Sequence, residues 1–421
     1  MKSNINKRTS SVEQELATPS SFSGVEIERG EGDFVEPFDP KSISIESKVI
    51  SIDTVIRRLL NGQLRLAPNF QRKEIWDTKR KSQLIESLMM RIPLPMFYVA
   101  ADTDGCWDVV DGLQRLSTIR DFVLGQKYLK ERNEKDRGHG HKLQDLEFWG
   151  EKLNGKDFAH LPDKHVNTIL ETEFRFTIIN PGTPEVVKFN VFKRINTGGL
   201  QLTAQEIRHA LYQGHSTELL TKLVASKEFI AATDNSVNDS RMAGRELILR
   251  FLAFTIRDYR DYDGKDLDVF LADTMRIINL MPDMDNSKIG KIFKGTKTPK
   301  FKITNLDLLE KRFIKAMVRA KKLFGVHAFR KSLRHYKRSP INKSLFEAWS
   351  TILGHIDDES FEQLMRNKEV FFDMYENMIY DDTFYKMMSR DSWKKASVKN
   401  RHEILSNLIN HVIAIKEKEQ E

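Results

Sequence analysis

A single cysteine, Cys106, is all that the 421 residues contain. An internal disulfide is therefore excluded, and so is a zinc site built on several thiolates. Such sparing use of cysteine fits a reducing compartment, and a cytoplasmic location is expected. Long apolar runs are also missing: no stretch reaches the length that crosses a bilayer, so no membrane partner is expected. The opening residues, Met1-Lys2-Ser3-Asn4, lack the apolar core of a secretory signal. Acids are scarce in one region only. Residues 287–345 hold 18 Lys or Arg against two acids, Asp307 and Glu310, a net of +16 where the whole chain carries +8. The remainder is therefore net negative. Positive charge gathered into one segment favours a polyanionic partner, DNA first.

Hydrophobic residues make up 40% of the chain, enough for the cores of two or three domains. Residues 1–45 are rich in Ser, Glu and Gly without sustained periodicity, and read as a disordered tail. A mixed α/β domain is expected over 46–215. Ser51 or Asp53 can cap a helix carrying Val55, Ile56, Leu59 and Leu60, and Asp77 can cap another carrying Leu84, Ile85, Leu88 and Met89. Residues 96–100 and 106–110 read as strands joined by the turn Asp102-Thr103-Asp104-Gly105. Residues 126–160 are charged and irregular. Arg137-Gly138-His139-Gly140-His141 is their most flexible point, and its two histidines read as loop residues rather than metal ligands. Residues 174–179 alternate like a strand, and Pro184 opens a helix through Val187, Phe189, Val191 and Phe192.

From residue 216 to 421 the pattern is almost wholly helical and includes the basic segment 287–345. After Asn305, the residues Leu306, Leu309, Phe313, Ala316, Met317, Ala320 and Phe324 form a core stripe. Lys311, Lys315, Arg319 and Lys322 fall on the opposite side at spacings of three and four. Together with the loop lysines Lys288, Lys291, Lys294, Lys297, Lys300 and Lys302, they are expected to follow a DNA backbone without reading its sequence.

The most informative stretch runs from Cys106 to Ile119. Trp107, Val109 and Val110 read as a buried strand, Asp111-Gly112 as a turn, and Leu113, Leu116 and Ile119 as the inner face of a helix that starts at once. A helix N-terminus leaves backbone N–H groups facing outward, ready for an anion. Arg115 lies in that first turn, where the helix dipole prefers acids, which a phosphate in front of it would explain. Two further clusters join an arginine to amide or hydroxyl donors: Asn69-Phe70-Gln71-Arg72 and Lys193-Arg194-Ile195-Asn196-Thr197-Gly198-Gly199. Guanidinium forks suit phosphate oxygens, and glycines let backbone N–H groups approach a ligand. Asp111 is the one acid of the central cluster and the candidate magnesium ligand.

The order Phe70-Gln71-Arg72…Trp76, Ile92-Pro93-Leu94-Pro95, Asp111-Gly112-Leu113-Gln114-Arg115 and Phe192-Lys193-Arg194-Ile195-Asn196-Thr197-Gly198-Gly199 resembles the GmrSD N-terminal-domain family. The resemblance implies an α+β protein: a ParB/sulfiredoxin-like α/β N-terminal domain followed by a mainly α-helical domain. It also implies a nucleotide-handling role in bacterial defence against foreign or modified DNA, through a motif of the Asp-Gly-Gln-Gln-Arg type. On that resemblance Asp111, Gln114 and Arg115 are the catalytic candidates. Gln71, Arg72, Gly112, Arg194 and Asn196 are the nucleotide-binding ones. The implied cofactor is Mg2+ with a nucleoside triphosphate, ATP or GTP, and the implied activity is Mg2+-dependent NTP hydrolysis. One departure stands out: Leu113 occupies the place of the first glutamine and cannot donate to phosphate or water. No His-Asn-His nuclease motif follows residue 215, which leaves cleavage to a separate nuclease subunit. A DNA-nicking phosphodiesterase and a non-catalytic DNA-binding module remain alternatives.

Overall fold

The structure, a computed structural model, describes residues 12–18, 20–28, 44–66, 76–195, 202–264, 266–293, 297–334, 336–390 and 392–415. These fall into two compact units. The first strands, β1 (Gln14–Thr18) and β2 (Ser21–Glu26), form an antiparallel hairpin that belongs to the C-terminal helical unit. Over residues 14–26, then, the chain forms strands where a disordered tail is expected.

The α/β unit is built on a five-stranded mixed sheet. In chain order it contains β3 (Ile45–Ser51), α1 (Ile52–Leu60), β4 (Leu64–Arg65), α2 (Thr78–Met89), β5 (Phe97–Ala101), β6 (Trp107–Asp111) and α3 (Leu113–Leu124). There follow α4 (Gln126–Glu131), α5 (Gly150–Leu153), α6 (Asp163–Glu171), β7 (Glu173–Ile179), α7 (Glu185–Ile195) and α8 (Ala204–Leu211). The strand order is β3-β7-β5-β6-β4. The β3–β7 and β5–β6 pairs are antiparallel, while β5–β7 and β4–β6 are parallel. Phe97, Val99, Trp107, Val109, Phe174, Phe176 and Ile178 are buried on the central strands. Phe97 lies 5.2 Å from Phe176, ring to ring.

Local chemistry explains the boundaries. Ser51 accepts from the Thr54 amide at the start of α1, and Asp77 accepts from the Arg80 amide at 2.7 Å at the start of α2. The β5–β6 turn closes as its sequence suggests, with Asp102 Oδ1 accepting from the amides of Asp104 and Cys106.

Residues 126–160 are better ordered than their composition suggests. The Gly138 amide donates to Leu124 at 3.0 Å, and the Leu143 amide donates to Lys156 at 2.9 Å. A side chain at Gly140 would collide with the Asp121 carbonyl, so a glycine is required there by close backbone approach. His141 packs 5.0 Å from the Phe122 ring. Burial, reinforced by Lys81, pushes its pKa down to about 4. An unfolded chain therefore takes up a proton at this residue below pH ~6.5 that the folded chain refuses until about pH 4. Stability is expected to fall as the pH drops through that window. The melting temperature of His141→Gln should decline less between neutral and acidic pH than that of the wild type.

The helical unit runs through α9 (His215–Val224), α10 (Lys227–Ala232), α11 (Ala243–Ile256), α12 (Leu267–Asn279), α13 (Asn286–Ile292) and α14 (Leu306–Phe324). It continues with α15 (Lys343–His355), α16 (Asp358–Arg366), α17 (Lys368–Ile379), α18 (Asp382–Ser389) and α19 (Lys395–Ala414). Both α11 and α15 are buried along nearly their whole length. Their core is ionic as well as apolar. Arg250 binds Glu28 of the hairpin segment and lies 3.3 Å from Glu246 and 3.6 Å from Glu347. Lys343 pairs with Glu15 at 2.6 Å and Glu246 at 2.7 Å, Arg401 with Glu347 at 2.6 Å, and Lys331 with Glu26. No helix of the described residues is long and apolar enough to cross a membrane.

Candidate functional site

The segment singled out in the sequence folds as a strand, a one-residue turn and a helix. Strand β6 ends at Asp111, and α3 starts at Leu113. Gly112 between them has φ +94°, the left-handed region. A β-carbon there would also meet Phe97 Cδ1 at 2.3 Å, so both conformation and space demand glycine. The Leu116 amide donates to the Gly112 carbonyl at 2.9 Å and closes the first turn. No side chain caps this end, which leaves the amides of the first turn outside the helical ladder.

Arg115 turns back onto its own domain. Its guanidinium donates to the Pro95 carbonyl, to the Met96 carbonyl at 3.3 Å and to Asp111 Oδ2 at 3.3 Å. It also stacks over Phe97, 4.4 Å from the ring centre. Only 14% of its side chain is exposed. Burial draws its pKa downward and Asp111 opposes that. Arg115 thus ties the Ile92-Pro93-Leu94-Pro95 segment to the Asp111 turn, and a misplaced cation in the first helical turn has an internal explanation.

Asp111 is 36% exposed and has room for a further contact. Gln114 is half-buried, and its side chain has no hydrogen-bond partner among the described residues. Leu113 is 8% exposed. Its side chain belongs to the core, so the departure from the family motif falls at a packing position in this chain.

Not every expected site residue can be placed. Gln71, Arg72 and Asn196 lie outside the described residues. Arg194 is in α7, but its side chain is outside them too. Convergence of the three arginine-bearing stretches is accordingly an expectation of the sequence alone.

The basic helix α14 has the expected bounds and core stripe, with Leu309, Phe313, Ala316, Met317, Ala320 and Phe324 buried. Its basic face needs one correction. Arg319 is buried and donates to the Leu353, Ile356 and Asp357 carbonyls at 2.9, 2.7 and 3.0 Å and to Asp358 at 2.5 Å. It neutralises the carbonyl end of α15 and is withdrawn from any DNA face. Lys315 is half-buried, 2.9 Å from Asp358. Lys311 and Lys322 are exposed, as are Lys288, Lys291, Lys297 and Lys300; Asp285 faces Lys288 and Lys291, but none of the six closes a salt bridge among the described residues. Arg330, Lys331 and Lys343 are buried, so part of the segment's charge is spent inside the fold.

One polar cluster escaped the sequence. His139 Nδ1 lies 3.0 Å from Asp157 Oδ2, and His160 Nδ1 lies 2.6 Å from Asp157 Oδ1. Nothing in the local spacing of these residues signals their meeting.

A mixed sheet with a strand–glycine–helix turn carrying Asp, Gln and Arg, followed by a mostly helical unit, defines the chain as α+β. Over residues 56–213 the chain matches the GmrSD restriction endonuclease N-terminal domain. It thus carries a domain of restriction-type defence proteins. Comparison with curated proteins and with solved structures gives no match.

Proposed function

We propose that this protein binds and hydrolyses a nucleoside triphosphate with Mg2+ and contacts DNA, as part of a bacterial restriction-type defence system. The observation that carries the reading is the turn at Gly112, which sets Asp111, Gln114 and uncapped helix amides at the mouth of one strand–helix junction. Hard, oxygen-seeking Mg2+ suits the half-exposed Asp111 carboxylate. The unpartnered Gln114 amide is free to orient a water or a phosphate oxygen. Arg115 acts mainly by holding the turn and the Pro95 segment in place, while Arg72, Arg194, Gln71 and Asn196 supply further phosphate contacts. Burial of Leu113 supports retention of hydrolysis, because no ligand-facing donor is missing at that position. The five-stranded mixed sheet is compatible with a ParB/sulfiredoxin-like arrangement. DNA cleavage falls to a separate nuclease subunit.

The direct test is release of inorganic phosphate from ATP and GTP by the full chain, with Mg2+ or with EDTA. Metal-dependent release is expected. Nicking of plasmid without phosphate release would favour the phosphodiesterase alternative instead.

For DNA, the exposed lysines of residues 288–300 and of α14 carry the proposal. Reversing Lys311 and Lys322 to Glu is expected to weaken duplex binding for all sequences alike. The slope of log K against log salt should become shallower by about 0.9 for each phosphate that is no longer neutralised. Arg319→Ala is expected to lower the melting temperature instead, since its donors serve α15 and Asp358. Equal DNA affinity in the two-lysine variant and the wild type would remove α14 from the interface.

A further inference from the structure

We propose that His139, Asp157 and His160 form a binding site for a divalent transition-metal ion of the zinc class, apart from the magnesium chemistry assigned to Asp111. One ligand atom from each of the three lies within 4.8 Å of the others. Two imidazoles and one carboxylate are the donor set that borderline metals prefer, whereas Mg2+ favours oxygen alone.

The backbone holds these residues in place. The Ala159 amide donates to the Gly138 carbonyl at 3.1 Å, clamping together the two segments that bear the histidines. Gly138 itself has φ +84° and meets the Ala159 backbone closely, so the clamp tolerates no side chain there. Phe158 packs edge-on against Phe122, 5.8 Å away, and anchors the second segment in the core.

Burial is graded as a metal site requires. Asp157 is 6% exposed, and its carboxylate also accepts the His160 amide at 3.2 Å, which fixes its orientation. The side chains of His139 and His160 are 45% and 66% exposed, so an ion can enter from solvent. In the metal-free form each imidazole donates an Nδ1 proton to Asp157. Binding replaces those two hydrogen bonds: each neutral ring moves its proton to Nε2, Nδ1 takes the metal, and Asp157 becomes the third ligand. Three protein ligands leave coordination positions for water or a substrate atom. The competing account is a carboxylate that merely bridges two histidines.

The experiment is zinc titration of the EDTA-treated, exchanged full chain by calorimetry, with Co2+ absorption spectra as a second readout. One equivalent of tightly bound metal is expected, with a rise in melting temperature on zinc addition. Affinity should fall by about tenfold or more in His160→Ala and in Asp157→Asn. His160→Ala takes one hydrogen bond from the buried Asp157, so its metal-free melting temperature is expected to fall slightly, and zinc should no longer raise it. Wild type and the His139→Ala/His160→Ala variant taking up equal zinc, or zinc leaving the wild-type melting temperature unmoved, would overturn the site in favour of the hydrogen-bonded bridge.

Discussion

A chain lacking residues 1–28 is expected to lose cooperative unfolding of its helical unit. The hairpin lies on backbone hydrogen bonds, from Glu26 to Ile341 at 2.8 Å, from Ile341 to Gly24 at 2.9 Å and from Asn238 to Ser23 at 2.9 Å. A side chain at Gly24 would overlap the Ser236 carbonyl, which shows how closely the strand is laid down. More costly is the charge left behind. Glu15, Glu26 and Glu28 are partners of Lys343, Lys331 and Arg250, whose side chains are 7%, 2% and 4% exposed. Breaking one buried pair costs about 3–5 kcal/mol because the surviving charge stays desolvated. Lys331 loses its carboxylate outright, while Lys343 keeps Glu246 and Arg250 keeps Glu246 and Glu347, so the summed loss is a large share of the ~5–15 kcal/mol that holds a typical domain folded. The Arg250→Ala variant, which takes one cationic partner from Glu28, Glu246 and Glu347 but keeps the hairpin, should show an intermediate loss. Denaturant unfolding followed by far-UV circular dichroism measures both. A truncated chain that melts like the full one would show the hairpin to be dispensable.

The second large effect falls on catalysis. Gln114→Ala is expected to lower phosphate release by about 100-fold or more, the scale on which removing a preorganised donor acts. Its melting temperature should stay at the wild-type value, since the Gln114 amide has no partner among the described residues to lose. Arg115→Ala is the less informative variant. It removes the ties to Pro95, Met96 and Asp111 and the stack on Phe97, so a drop in activity there mixes chemistry with collapse of the turn. A Gln114→Ala enzyme as fast as the wild type would take Gln114 out of the mechanism.

Local patterns are the legible ones. The stripe along residues 306–324, the Asp77 cap and the turn from Asp102 to Gly105 each follow from chemistry within a few residues, and the structure has all three. Strand β3 is not legible: as a sheet-edge strand it is largely exposed and lacks an alternating burial pattern to read. The hairpin at residues 14–26 reads as a tail because its acids look solvated in isolation. Their partners lie more than 200 residues away, at Arg250, Lys331 and Lys343. Arg319 misleads for a related reason. It flanks the stripe between Met317 and Ala320, and only the approach of α15's end draws it inward. At the candidate site the turn and its glycine are readable from sequence. The occupation of Arg115 by its own domain, and the burial of Leu113 in the core, depend on strands and segments brought in from elsewhere in the chain.

The most direct test is calorimetric titration of the full chain with Mg2+ and slowly hydrolysed analogues of ATP and GTP, beside an Asp111→Ala/Gln114→Ala variant. Saturable one-site binding by the wild type, absent from a variant that melts at the same temperature, is the expected result. Binding of neither nucleotide by the wild type, or equal binding by the variant, would contradict the assignment of the Gly112 turn as a triphosphate site.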